Sequence, residues 1–136
     1  MRLSTLILLF IIFYCKINQQ VEQVEDPYIW ISKTVKASAY NSVTNQTNTN
    51  PVLTAFGDEL QPGQKYIAVS RDLLKNELKY NTLVKIEGLE GNYIVKDKMH
   101  SRWKNHIDIY MGLDVEAAIQ WGRRTVCIEY AVEKEE

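Results

Sequence analysis

"VKDKMHSRWKNHIDIYMG", residues Val95 to Gly112, gathers two aspartates, two histidines, an arginine and a tryptophan among its lysines, between short apolar runs. Asp97 follows one strand-like run, "GNYIVK", and Asp108 sits inside another, "IDIY", with a loop from Lys98 to His106 between them. Period-two alternation points Ile107 and Ile109 to one face of the second run, and Asp108 with Tyr110 to the other. A carboxylate embedded in a strand is unusual, and the reading brings both acids to one barrel mouth.

Moving outward, "PVLTAFG", "KYIAVS", "NTLVKIEG", "GNYIVK", "IDIY" and "TVCIEYAV" are apolar runs of strand length set apart by turn residues, and "KTVKASAY" alternates like a half-buried strand. Six or seven short strands predict a barrel or sandwich. Two stretches read as short helices: "RDLLKNEL", with Ser70 as cap and Asp72 in its first turn, and "VEAAIQW", with Asp114 as cap and Gly122 as stop. "NSVTNQTNTNP" has no periodicity and reads as a long loop; its Asn45-Gln46-Thr47 triplet matches a glycosylation acceptor by chance in so Asn-rich a segment.

The 136 residues, 46% hydrophobic and 24% charged, suit one domain, expected over 27–136. A formal net charge of −1 gives no overall electrostatic reason to expect nucleic acid or an anionic membrane surface as partner. At the start, "MRLSTLILLFIIFYCKINQQ" has one Arg ahead of an apolar run, Leu6 to Tyr14, of secretory length, which predicts export to the periplasm, cell envelope or outside. Residues 1–26 are thus read as leader and tether, with cleavage, acylation at Cys15 and an uncleaved anchor left open; any membrane contact is through this segment. Only Cys15 and Cys127 are present, so no disulfide framework follows, and alternation places Cys127 on the less apolar face of a strand.

Five pieces in order, "TAFGDELQPG", "YIAVSRDLL", "YNTLVKIEG", "VKDKMHSR" and "IDIYMG" followed by "EAAIQWGRRTVCI", resemble the bacterial three-aspartate domain. That family is a double-psi β-barrel similar to the catalytic barrel of membrane-bound lytic transglycosylase A, and more distantly to rare lipoprotein A and expansins. The resemblance runs from about Ala37 to Val132, and the eleven-residue step from Asp97 to Asp108 is the family's spacing. It implies cleavage of peptidoglycan glycan strands between N-acetylmuramic acid and N-acetylglucosamine with a 1,6-anhydro end, by a monomer needing no cofactor. Asp108 is then first the acid, protonating the leaving oxygen, and afterwards the base that accepts the muramyl 6-hydroxyl proton. An ordinary Asp, with a pKa near 3.9, is ionised at neutral pH. Asp108 must therefore be raised by about 2–3 units, which burial and the nearby charge of Asp97 can supply. Asp97 itself stays ionised and stabilises positive charge in the transition state.

The chain departs from the family at one position: after "IAV" the family has an aspartate where this chain has Ser70, with Asp72 two residues on. Either reaches the site, or both build a helix N-terminus, which is the preferred reading. Thr54 matches the family's Thr-Ala-x-Gly signature, and either hydrogen-bonds an aspartate or sugar or is a plain strand threonine. In the loop, Trp103 is expected to stack on a sugar face and Arg102 or Lys104 to meet muramyl or peptide carboxylates. Lys98, His100 and His106 complete the candidate lining, although Lys98, adjacent to Asp97, points away in a strand geometry, and Tyr110, on the Asp108 face, is a further substrate-binding candidate. Asp97, His100, His106 and Asp108 are also conceivable metal ligands, but the histidine spacing fits no helical pair and no metal is expected. The main alternative is a glycan-binding module without turnover, as in expansin-like barrels; a secreted interaction domain is the third reading.

Overall fold

Alternating β-branched residues set the strands, because a pleated backbone sends successive side chains to opposite faces. In the computed structural model, which describes residues 24–43 and 52–135, β1 runs Tyr28–Tyr40, β2 Tyr66–Val69, α1 Arg71–Asn76 and β3 Leu83–Ile86. β4 follows at Tyr93–Lys98, β5 at His106–Tyr110, α2 at Val115–Trp121 and β6 at Arg124–Glu133. The export segment and the Asn45 triplet lie outside the described residues. Among the described residues no helix is long and apolar enough to cross a membrane.

The strands close into a barrel in the order β1-β5-β2-β4-β3-β6. β1 with β5 and β2 with β4 are parallel, and the other four pairs are antiparallel. Exchanging β1 with β4, β2 with β5 and β3 with β6 leaves every pairing unchanged, so two β-β-β halves interlock with two-fold symmetry. This is a double-psi β-barrel. Val35, Ile67, Val69, Val84, Val95, Ile107 and Ile109 fill its interior with no exposed surface. Each such burial contributes about 1.5–3 kcal/mol.

Two of the sequence expectations change. "PVLTAFG" is no strand: Val52–Gly57 turns back on itself with a single bridge, Leu53 to Glu59, and leaves Leu53 and Phe56 exposed. Its apolar residues never alternate against a core, and Gly57, at φ +88°, supplies the left-handed turn. β1, in contrast, starts earlier than "KTVKASAY", because Tyr28–Ser32 pairs with Glu129–Glu133 of β6 as a ribbon beyond the core. Ile29 and Ile31 stay exposed there, so no burial pattern marks the extension.

Asp114 caps α2 as its chemistry predicts, accepting the Ala117 N–H at 2.9 Å, and Gly122 ends the helix at φ 64°. Ser70 occupies the N-cap position of α1 without capping it through its side chain. Cys127 is exposed on β6 between buried Val126 and Ile128.

Candidate functional site

Strand register assembles the site. Asp108 of β5 is the register partner of Ser38 on β1 and of Ala68 on β2, and Ala68 is in turn the partner of Asp97 on β4. Four neighbouring strands thus carry one row, Ser38–Asp108–Ala68–Asp97, on the face opposite the buried Ile107 and Ile109. Asp97 reaches that face through a register slip. Ile67 pairs with Val95 but Ala68 pairs with Asp97, leaving Lys96 as the extra residue. In a regular register Ala68 would face Lys96, and Asp97 would turn inward; the bulge re-aims it. With adjacent strands about 4.8 Å apart, the two aspartate backbones are about 10 Å apart, and Ala68, 6% exposed, occupies the strand between them. The acids meet across the outer wall of the barrel rather than at its mouth.

The environments of the two carboxyls differ. Burial, reinforced by the charge of Asp97, pushes Asp108 up to about 6, although the Ser38 hydroxyl and the Arg123 cation pull it down. Ser38 donates to Asp108 Oδ1 at 2.9 Å, and its Oγ lies 2.9 Å from His106 Nε2. Since the single hydroxyl proton goes to Asp108, His106 must donate from Nε2, which fixes its tautomer. Burial, with the Arg123 and Lys36 charges, holds His106 below its ordinary value, so the ring is neutral at pH 7. Burial raises Asp97 as well, but two backbone donors, Ala55 N–H and Lys98 N–H, each 2.8 Å from its Oδ1, favour the ionised form. Tyr40 lies over the row: its hydroxyl is buried without a hydrogen-bond partner, and burial and then the charges of Asp97 and Asp108 raise its pKa. It remains a phenol and a free donor beside both acids.

The remaining expected residues take different places. Thr54 Oγ1 accepts the Asp58 N–H at 3.0 Å, so it shapes the turn whose next residue, Ala55, holds Asp97. Ser70 is fully buried, accepting the His106 N–H at 3.1 Å, and Asp72 Oδ2 accepts the Asn105 N–H at 2.9 Å. Together they fasten the start of β5, where Asn105 turns at φ 46°. Tyr110 is buried with its hydroxyl 2.8 Å from Ser42 Oγ, and its ring packs 5.5 Å from that of Tyr40. Lys98 is exposed, with its ammonium 5.9 Å from the Phe56 ring. Trp103 is half-buried against His106 at 4.6 Å, with Arg102 and Arg123 on its ring at 5.2 and 5.4 Å. No group of three or more potential metal ligands converges among the described residues.

Sequence reasoning passed over Ser38, Tyr40, Ala68 and Arg123. Alternation in "KASAY" does put Ser38 and Tyr40 on one face, but nothing local shows that β1 lies parallel to β5, 70 residues away.

No protein-family model and no curated protein matches the chain. Among solved structures, the Streptomyces papain inhibitor aligns with a TM-score of 0.51 at 18% identity, over 75% of this chain and 96% of its own. An apo expansin of Clavibacter michiganensis aligns with a TM-score of 0.47 at 19% identity, over 78% of this chain. A point mutant of that expansin in complex with cellohexaose gives 0.46 at 18%. The chain spans about half the length of these expansins, 52%. At such identity the likeness to the inhibitor is one of fold.

Proposed function

We propose that the protein is an exported, peptidoglycan-directed enzyme of the lytic transglycosylase type, cleaving the glycan between N-acetylmuramic acid and N-acetylglucosamine. The observation that carries this reading is the row in which Asp108, pushed up to about 6, faces Asp97 across a single alanine. A carboxyl poised near 6 is protonated often enough to donate at near-neutral pH and basic enough, once ionised, to take a proton back. Asp108 gives its proton to the leaving glycosidic oxygen; as the positive charge grows at the anomeric carbon, Asp97 faces it as carboxylate. The muramyl 6-hydroxyl then attacks that carbon and returns its proton to Asp108, so the net change is one intermolecular glycosidic bond exchanged for one internal 1,6-anhydro glycosidic bond. Ser38, itself bonded to His106, orients Asp108 Oδ1, and the buried Tyr40 phenol stands beside both acids. Incubating purified sacculi with the wild type and with Asp108→Asn tests this: anhydro-muropeptides are expected from the first and none from the second.

A binding module without turnover is the second reading, favoured by Ser70. At the family's third carboxylate position this side chain is fully buried and engaged by the His106 N–H, away from any substrate. On that reading the wild type pulls down sacculi and releases nothing.

A further inference from the structure

Beyond His106, next to the carboxyl row, opens a cleft of about 470 Å3. Lys36 from β1, Arg102 and Lys104 from the β4–β5 loop, and Arg123 from the α2–β6 connection line it, and no carboxylate does. A fifth cation, Arg124, is used elsewhere: its guanidinium donates to the Trp121 carbonyl at 2.9 and 2.7 Å at the end of α2. Among the described residues the ion pairs are Lys33–Glu77 and Lys96–Asp58, so the other four cations of the cleft have no carboxylate partner. Four like charges from three parts of the chain repel one another, and in a chain with 16 basic and 17 acidic residues acids are available that could have been set against them. The two arginines rest on Trp103, which orients their guanidinium groups and leaves the N–H forks free. Such forks fit oxyanions in a bidentate manner. Arg123 also acts electrostatically on both His106 and Asp108, which puts an occupant of the cleft next to the reacting bond.

We infer that this cleft is a carboxylate subsite: it takes an acid group carried by the glycan beside the cleaved bond, so the substrate class is an acidic glycan and not a neutral one. The inference rests on the glycan reading of the carboxyl row and narrows it. The carboxylate has two sources, the lactyl group of an unsubstituted muramyl sugar or the acids of an attached peptide. Calorimetric titration of Asp108→Asn, which holds substrate without turnover, uses three hexasaccharides: chitohexaose, a muramyl-containing hexamer with free lactyl groups, and the same hexamer bearing peptides. At least one acidic ligand is expected to bind about tenfold tighter than chitohexaose, the worth of one charge-assisted contact. The acidic ligand that shows the gain identifies the source. Added salt removes the advantage. Adding Arg102→Gln and Arg123→Gln, or separately the exposed Lys104→Gln as a milder change, should weaken the acidic ligand and leave chitohexaose unchanged. Equal binding of all three ligands, or equal losses for neutral and acidic ones, overturns the subsite while the glycan reading stands. Binding of none overturns both.

Discussion

Asp108 joins the chemistry to the stability of the fold. Its carboxyl moves from an ordinary 3.8 to about 6 on folding, mainly through burial. For a group raised in this way, the stabilising contribution is complete below pH 4 and is lost as the pH climbs through about 6, because the native state holds the proton more tightly than the unfolded chain. The loss amounts to about 3 kcal/mol at the top of that window. Asp108→Asn keeps an acceptor for Ser38 and cannot ionise, so it should be more stable than the wild type at pH 8 and no more stable at pH 4. Urea denaturation at the two pH values reads the difference, and equal stability at both would show that Asp108 is not held protonated. Ser38→Ala acts in the opposite direction to the hydrogen bond it removes, one that pulls Asp108 down. On the proposed mechanism, the pH–rate profile for cleavage should fall as Asp108 ionises, and in this variant that falling limb should move to higher pH by about one unit.

The slip in β4 is what turns Asp97 to the face of Asp108, and Ala68 keeps the space between them. Ala68→Leu fills that space with a branched side chain at a position only 6% exposed. Overpacking of this kind costs about 1–3 kcal/mol, within the reach of a barrel with this core. Cleavage and glycan binding should both be lost while the circular dichroism spectrum and a cooperative melt persist; retained activity would remove the site from this gap. Individual elements were largely readable because their signals are local. Ile107 and Ile109 around Asp108 gave the strand and its faces, and Asp114 with Gly122 framed α2. The slip at Lys96 was not readable, since it exists only relative to β2, 28 residues earlier by the Ala68–Lys96 offset. Nor was the β1–β6 ribbon, whose Ile29 and Ile31 meet solvent.

At the scale of the molecule, one β-branched interior supports every strand that carries the row. Ile128, 1% exposed on β6, should cost about 2–5 kcal/mol when cut to Ala. Ile119, 73% exposed on α2, should change stability by about 0.5 kcal/mol or less. Thermal melts of the two variants compare them directly. Counting apolar runs gave six or seven strands, of which "PVLTAFG" is not one, and their order was not readable, because parallel pairs such as β1 with β5 leave no adjacent turn in the sequence. The same holds for the cationic cleft, whose Lys36 and Arg123 lie far from the loop that first drew notice. Digestion of sacculi in 18O-water tests most directly whether Asp108 serves as acid and then base with no water entering the bond. Unlabelled 1,6-anhydro ends from the wild type and none from Asp108→Asn are the predicted result; 18O-labelled reducing ends, or no released fragments from either protein, would contradict it.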